Sequence, residues 1–455
     1  MRNRIIELDI ADLAYNGQAV AYDNGKVTFI NGGLPGERVE AAIVKSRKNY
    51  NQAKILHIIT KSPERIDPVC QHFDLCGGCT WQDLDYSRQL YYKRKQVVDC
   101  LKHIGGLDDI EVAEIRPAPE QFYYRNKMEF SFHVLSGEGK TNQFVLGLHE
   151  RNHFDHIFDV NRCHLQSEIS NRIVNYVREK TASMEIPVYD VITHEGFFRF
   201  LIIREGKNTG QVMLIFVTGE GTFVGKDQLI AGLKENFPEL TTAVWMVNDR
   251  KANIARGKVR EVLFGEGFIE EKILDLRFRI SPGSFFQTNS RQAEELYRTA
   301  IDLANLDSRD NVMDLYCGAG AIGICAAGRA GSVTGIDIEE EAIEAARVNC
   351  SLNNLSNCQF HAGSAQDVLS SELFRQSKFD VIFNDPPRAG MHPKALECLL
   401  ELAPRRLIYI SCNPATFARD AASLREAGYN PDKVIPFDMF PHTMHIELVS
   451  RFEKK

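Results

Sequence analysis

The spacing of apolar residues along the chain changes character twice. Up to about residue 60 it is short and alternating, with turn residues between: Gly17–Asp23, then Lys26–Gly33, then Val39–Val44 and on to about Ile59. Asn24-Gly25 between two such runs is a strong hairpin signal, so a small all-β unit is expected here. Ser62–Pro68 carries two prolines and reads as a linker. Gln82 to Leu101 reads as a helix closing near Gly105-Gly106. From Phe122 to about Arg279 strand patterns dominate, at Tyr123–Phe132, Phe144–His149, Phe200–Arg204 and Gln211–Val217. Their mixture of alternation and continuous apolar runs predicts a mixed or antiparallel sheet.

After about Ser281 helices and strands take turns. Gln292–Leu306 has helical amphipathic spacing, and Val312–Leu315 runs as a strand into the turn Cys317-Gly318-Ala319-Gly320. Ser332–Asp337 is the next strand, followed by a helix from Glu339 to Asn353. Strand, glycine turn, helix and a strand ending in aspartate describe the first half of a Rossmann-like doubly wound sheet. Two more buried strands are expected, Phe379–Asn384 and Leu407–Ser411, each stopped by a proline-containing polar turn.

At 455 residues the chain is long for one core, and two or three domains are expected: 1–61, 62–280 and 281–455, with part of 88–120 packed on the last. The net charge of −7 is not the footprint of a basic nucleic-acid-binding domain. RNA contacts would therefore come from local patches mixing cations and aromatics, Lys45–Tyr50 and Tyr91–Lys95. The N-terminus lacks an apolar signal core, and no run approaches the roughly 18 apolar residues of a membrane span, so the expected location is the cytoplasm. In that compartment eleven cysteines argue for metal binding or catalysis rather than disulfides.

Three of those cysteines, Cys70, Cys76 and Cys79, cluster as C-x5-C-x2-C with Gly77-Gly78 between, a metal-binding spacing. Cys412 stands at the expected carboxyl end of a parallel strand, where open α/β sheets bind their ligands, and is a candidate nucleophile. Asp385, in Asp385-Pro386-Pro387-Arg388, is held at the same edge. Downstream, His442, His445 and Glu447 share one polar loop. Gly318-x-Gly320-x-x-Gly323 fits a dinucleotide as well as S-adenosylmethionine, and the acidic-Pro-Pro strand end favours the latter.

Together Asp385-Pro-Pro-Arg388, Ser411-Cys412-Asn413-Pro414 and His442-Thr-Met-His445-Ile-Glu447 resemble the signatures of the RNA uridine-5-methyltransferases. That resemblance implies a class I methyltransferase domain, an N-terminal oligonucleotide-binding-like barrel called TRAM, and a central α+β domain. It implies Cys412 as the nucleophile that adds to C6 of uracil, and Glu447 as the base that removes the C5 proton. Gln287, Tyr316, Asp337 and Asp385 match the cofactor-contacting positions. Two departures stand out: Ala321 where relatives often have Asn, and Asp337 where Glu is common. Cys163 matches the fourth ligand of a [4Fe-4S] cluster with Cys70, Cys76 and Cys79. Zinc on four cysteines is the alternative metal. Arg125, Asn126 and Lys127 match residues that face RNA.

The barrel and cysteine cluster look like the 23S ribosomal RNA branch, with tRNA as the other substrate and a monomer as the expected state. A redox enzyme with a dinucleotide on the glycine turn and a noncatalytic RNA-binding protein are the readings from other classes. Cys-x3-Cys-x2-Cys, the spacing of radical S-adenosylmethionine enzymes, is absent.

Overall fold

The computed structural model describes residues 4–15, 17–137, 140–153 and 155–454. Met1–Asn3, from the N-terminal stretch read above for a signal core, lie outside the described residues. Five strands, β1 (Ile5–Leu13), β2 (Ala19–Asp23), β3 (Lys26–Asn31), β4 (Arg38–Ser46) and β5 (Tyr50–Thr60), close a barrel in the order β1-β2-β3-β5-β4. The β2–β3 hairpin turns on Asn24 (φ 48°) and Gly25 (φ 81°), the paired left-handed conformation that favours an Asn-Gly turn. Below the barrel the linker is fixed by Arg65, whose guanidinium bridges buried Glu37 and Asp83.

The helix after the linker, α1 (Tyr86–Cys100), starts four residues later than its pattern suggested. Asp85 caps it by accepting from the Ser87 amide, while Gln82–Leu84 remain in the linker turn, where the Leu84 carbonyl accepts from Gln89. A π-helical turn, Leu101–Gly105, follows and stops at Gly106 in the left-handed region. The short strand β6 (Glu111–Val112) comes next.

The central sheet has the order β13-β12-β11-β10-β7-β8-β9 and is mixed, with β11 and β12 parallel. Its strands are β7 (Lys127–Gly137), β8 (Lys140–His149), β9 (Ile157–Asp159), β10 (Phe198–Glu205), β11 (Val212–Thr218), β12 (Leu240–Val247) and β13 (Lys258–Phe264). Helices α2 (Glu168–Ala182) and α3 (Lys226–Asn236) cover it. β7 begins later than expected because Tyr123 has φ 58° and residues 121–123 form bends, with 124–126 irregular at the domain junction. The hairpin β14 (Ile269–Ile273) and β15 (Leu276–Ile280) leads out of this sheet.

The C-terminal region is α4 (Ser290–Ala304), β16 (Asn311–Leu315), α5 (Ala321–Ala327), β17 (Ser332–Asp337), α6 (Glu340–Leu352), β18 (Cys358–Ala362), α7 (Ala365–Ser370), α8 (Glu372–Arg375), β19 (Val381–Asn384), α9 (Pro393–Leu402), β20 (Arg406–Ser411), α10 (Pro414–Glu426), β21 (Tyr429–Phe437) and β22 (Glu447–Lys454). Its sheet order is β18-β17-β16-β19-β20-β22-β21-β6, so β6 from the linker region is the eighth strand. β16 through β20 are parallel, and β22 runs antiparallel to both neighbours. α4 buries Ala293, Leu296, Tyr297, Ala300, Ile301 and Ala304, an i, i+3, i+4 stripe pressed on this sheet. Strand order reverses between β16 and β19, the switch point where such sheets bind ligands.

The basic stretch on α1 is a structural element, which corrects its expected role as an RNA patch. Lys93 is fully buried and donates to Asp438 at 2.6 Å and to the Phe440 carbonyl at 3.1 Å. Arg94 holds the carbonyls of Val112 and Ala113, and Lys95 bridges Asp12 and Asp99. Lys45, Arg47 and Lys48 remain exposed on the barrel. No described helix is long and apolar enough to cross a membrane.

Removing one partner of a buried pair strands the other charge, so Lys93→Ala is expected to lower stability by about 3–5 kcal/mol. Urea unfolding followed by tryptophan fluorescence measures it, and a loss under about 1 kcal/mol would mean the pair is not sealed from water.

Candidate active site and cysteine cavity

The nucleophile candidate is placed by register. β20 and β22 pair antiparallel with Ser411 opposite Leu448, and continuing that register sets Cys412 opposite Glu447. Asn413 then caps α10, accepting from the amides of Ala415 and Thr416, with Pro414 at the first helical position. Its side-chain amide donates to the Arg388 carbonyl at 2.9 Å, tying the Cys412 turn to the Asp385-Pro-Pro-Arg388 turn. The Asp385 amide in turn donates to the Leu315 carbonyl, at the switch point.

Burial and the nearby carboxylates of Glu447 and Asp385 push the Cys412 thiol up to about 11, while Arg388 pulls the other way. Burial raises Glu447 well above the carboxylate range, with Asp385 adding to it and Arg388 opposing. Burial alone carries Asp385 to about 7. The two carboxylates are therefore strong bases when ionised, and the resting thiol is protonated at neutral pH.

The two histidines lie in the segment just before Glu447. His442 is buried in a left-handed conformation (φ 66°), stacks on Phe122 at 4.3 Å, and its amide donates to Gln89 Oε1 at 2.9 Å. Burial takes both His442 and His445 down to about 4, so each is neutral at pH 7.

Beside Asp385 lies a cleft lined by Phe285, Gln287, Tyr297, Tyr316, Gly318, Ala319 and Ile322. Gln287, Tyr316 and Asp385 thus meet at one cleft. Asp337 lies one strand over and accepts the amides of Gly318 and Glu339, both at 2.9 Å. Asp314 is fully buried and accepts the Gly323 amide at 2.8 Å; a Cβ at Gly323 would come within 2.9 Å of that carboxylate. This close approach, rather than a phosphate, explains the third glycine of the motif. Phe285 and Ile338 are each 68% exposed, a pair of apolar side chains that pattern reasoning missed because neither sits in a periodic run.

Cys70, Cys76, Cys79 and Cys163 line a second cavity, of about 460 Å³, together with Arg125, Lys127 and Thr288. Cys76 accepts from the Gly78 amide and Cys79 from Gln82, both at 3.3 Å. Among the described residues no three of the four sulfurs lie within 4.8 Å of one another. Asn126 is buried, its side chain donating to the Gln287 carbonyl and Ser290 Oγ, both at 2.8 Å. Lys127 pairs with Glu129 at 2.7 Å. Of the expected RNA triplet, then, Arg125 and Lys127 flank the cysteine cavity and Asn126 braces the junction.

A glycine turn at the switch point of a parallel sheet with one reversed strand suits an S-adenosylmethionine-dependent methyltransferase, the class to which the chain's relatives belong. The family described as tRNA (Uracil-5-)-methyltransferase matches residues 234–455, and the TRAM domain matches residues 1–56. An uncharacterised RNA methyltransferase of Chlorobaculum tepidum is 38% identical over 99% of this chain and 96% of its own length. One from Oceanobacillus iheyensis is 37% identical over 100% of this chain and 97% of its own. The crystal structure of Pyrococcus abyssi tRNA (uracil-54, C5)-methyltransferase in complex with S-adenosyl-L-homocysteine superposes with a TM-score of 0.77 at 31% identity, covering 98% of this chain and 100% of that one. The chain belongs to this family of RNA uracil-5-methyltransferases; it is an enzyme that uses S-adenosylmethionine and acts on RNA.

The Cys412 environment gives a signed pH prediction. A raised thiol is unreactive until pH approaches its own value, so alkylation of Cys412 by iodoacetamide should climb steadily from pH 7 to 10. Glu447→Gln removes a negative neighbour and should move that profile to lower pH. Peptide mass spectrometry reads it, and an unchanged profile would separate the two residues.

Proposed function

We propose that the enzyme methylates C5 of a uridine in RNA through a covalent bond between Cys412 and C6, with 23S ribosomal RNA as the substrate. What supports this reading is the register that sets Cys412 opposite Glu447 beside Asp385. C5 of uracil is a weak nucleophile, and addition of a thiolate at C6 turns it into the electron-rich carbon of an enolate. S-adenosylmethionine, bound along Gln287, Tyr316 and Asp337, supplies the methyl group. In this reading Asp385, which lines that cleft and acts electrostatically on Cys412, accepts the thiol proton, and Glu447, in its ionised form, takes the C5 proton. Removal of that proton lets the Cys412–C6 bond break and restores the aromatic base. The exposed faces of Phe285 and Ile338 suit the adenine ring.

The barrel with its cysteine cluster supports ribosomal RNA. The full-length likeness to a tRNA enzyme of Pyrococcus abyssi supports tRNA as the second reading. Both tests use one strain. After deletion, a 5-methyluridine should vanish from a 23S position on mapping of total RNA, return with the wild-type gene, and stay absent with Cys412→Ala. Loss from tRNA alone would move the substrate, and restoration by Cys412→Ala would sink the covalent mechanism. Glu447→Gln should accumulate a protein–RNA adduct that survives denaturing electrophoresis, since addition proceeds while elimination stalls.

The four cysteines fit a [4Fe-4S] cluster better than zinc. A tetrahedral zinc with sulfur at about 2.3 Å draws its four thiolates into one tight group, and no three of these sulfurs form such a group among the described residues. A cubane holds its thiolates farther apart, and its sulfurs accept N–H···S bonds of the kind made by Gly78 and Gln82 around this cavity. Methyl transfer moves no net electron, so its role is to join the linker to the central sheet. Anaerobically purified protein should be brown with about four irons per chain, and Cys163→Ser should lose colour and stability together. A colourless, fully active preparation with one zinc would overturn the cluster alone.

A further inference from the structure

The described residues of the β1–β2 loop of the barrel, Ala14, Tyr15, Gly17 and Gln18, are only partly exposed. The Ala14 carbonyl accepts from buried Gln96 on α1 at 3.1 Å, and Asp12 pairs with Lys95 of the same helix at 2.6 Å. On the other side Gly17, at φ 78°, sits against Thr80 and Met444, close enough that a Cβ there would meet them at 3.2 and 3.3 Å. Met444 is part of the catalytic segment, three residues before Glu447, and packs into the apolar cluster of the barrel with Trp81, Leu84 and Tyr92. Thr80 and Trp81 donate their amides to the His442 carbonyl at 2.8 and 3.0 Å. The loop is clamped between α1 and the strip that carries the base.

Tyr15 stands in this loop. Its side chain packs on the apolar cluster of the catalytic domain, not on that of the barrel. Its phenol is within electrostatic reach of Cys412, Arg388 and Glu447 as well as Cys100. Burial first, then Cys100, Cys412 and Glu447, hold it up at about 12 against the pull of Arg388, so it is a neutral hydrogen-bond donor and has no role as a base. A barrel that served only to tether RNA would have no reason to pack a half-buried tyrosine on the apolar cluster of another domain, within electrostatic reach of its Cys412 and Glu447.

We infer that Tyr15 is a positioning residue of the active site, contacting the target uridine once it is extruded into the pocket, so that the RNA-binding barrel completes the wall around Cys412. This rests on the reading of Cys412 and Glu447 given above. An extruded base has lost its stacking partners and its pairing edge, and an aromatic ring with a neutral O–H donor replaces one of each. The donor also suits the negative charge that develops on the pyrimidine carbonyls when C6 is attacked.

The test uses full-length Tyr15→Ala and Tyr15→Phe with total RNA from the deletion strain, and a transcript of the mapped site bearing 5-fluorouridine to trap the adduct. Tyr15→Ala should lose kcat by about tenfold or more, and adduct formation with it, as misplacement of a reacting group does. Its RNA affinity by filter binding and its unfolding midpoint should stay at the wild-type values. Tyr15→Phe should fall between, reporting the hydroxyl. Wild-type kcat in Tyr15→Ala, or a loss confined to KM and matched by weaker RNA binding, would overturn the inference and leave the barrel a tether. Should Tyr15→Ala unfold, the kcat of Tyr15→Phe decides in the same sense. Cys412→Ala is run beside them: if it still methylates, the covalent reading fails while the Tyr15 kcat comparison keeps its meaning.

Discussion

Burying an ammonium and a carboxylate together is costly unless their geometry is good, and the Lys93–Asp438 pair accepts that cost where α1 meets the strip after β21. α1 supplies Lys93, and the strip supplies both Asp438 and the Phe440 carbonyl, which accepts a second hydrogen bond from the ammonium. Around the pair the same strip is held by Gln89 at His442, by the Tyr124 hydroxyl at Pro441, and by Asn289 at Met439. An apolar contact could glue these segments in several registers, whereas a charged pair with a carbonyl partner admits one. Phe437, one residue before Asp438, pairs with Glu447 across β21 and β22, so the pair anchors the strand end that fixes the register of Glu447.

The candidate catalytic edge is assembled from parts that do not stabilise one another. Burial raises the proton affinity of the Cys412 thiol and of both carboxylates, the two carboxylates raise Cys412 further and Asp385 raises Glu447 further, while Arg388 opposes the rise at Cys412 and Glu447. Such an arrangement keeps Cys412 protonated at rest, which protects it from oxidation and stray alkylation. It also means that reactivity waits on a partner to take the proton. The stability lost here is carried by the apolar clusters on both faces of the eight-stranded sheet.

The alternation of helices and strands after Ser281 was legible because buried parallel strands are continuous apolar runs and α4 has an unbroken stripe. The hairpin at Asn24-Gly25 was legible from turn chemistry alone. The start of α1 was not, since whether Gln82–Leu84 join the helix depends on the Asp85 cap and on Gln89 holding the turn carbonyls. Nor was the character of Tyr91–Lys95: the same cations would suit a solvated face, and Asp438, 345 residues away, takes one of them inside. Cys412 was placed by its strand end. Its opposition to Glu447 needed the reversal of β22, which no local pattern encodes. Tyr15 and Phe285 carry no motif and emerge only from tertiary packing.

Gln287 and Thr288 are consecutive, yet the first lines the cofactor cleft and the second lines the cysteine cavity. Asn126 fastens this partition by taking the Thr288 carbonyl on its own amide and the Gln287 carbonyl on its side chain. The two chambers are therefore separated by a single thickness of backbone. Any shift of the Gln287–Thr288 peptide is therefore felt in both linings at once, so neither chamber can be reshaped by a substitution at this junction without reshaping the other.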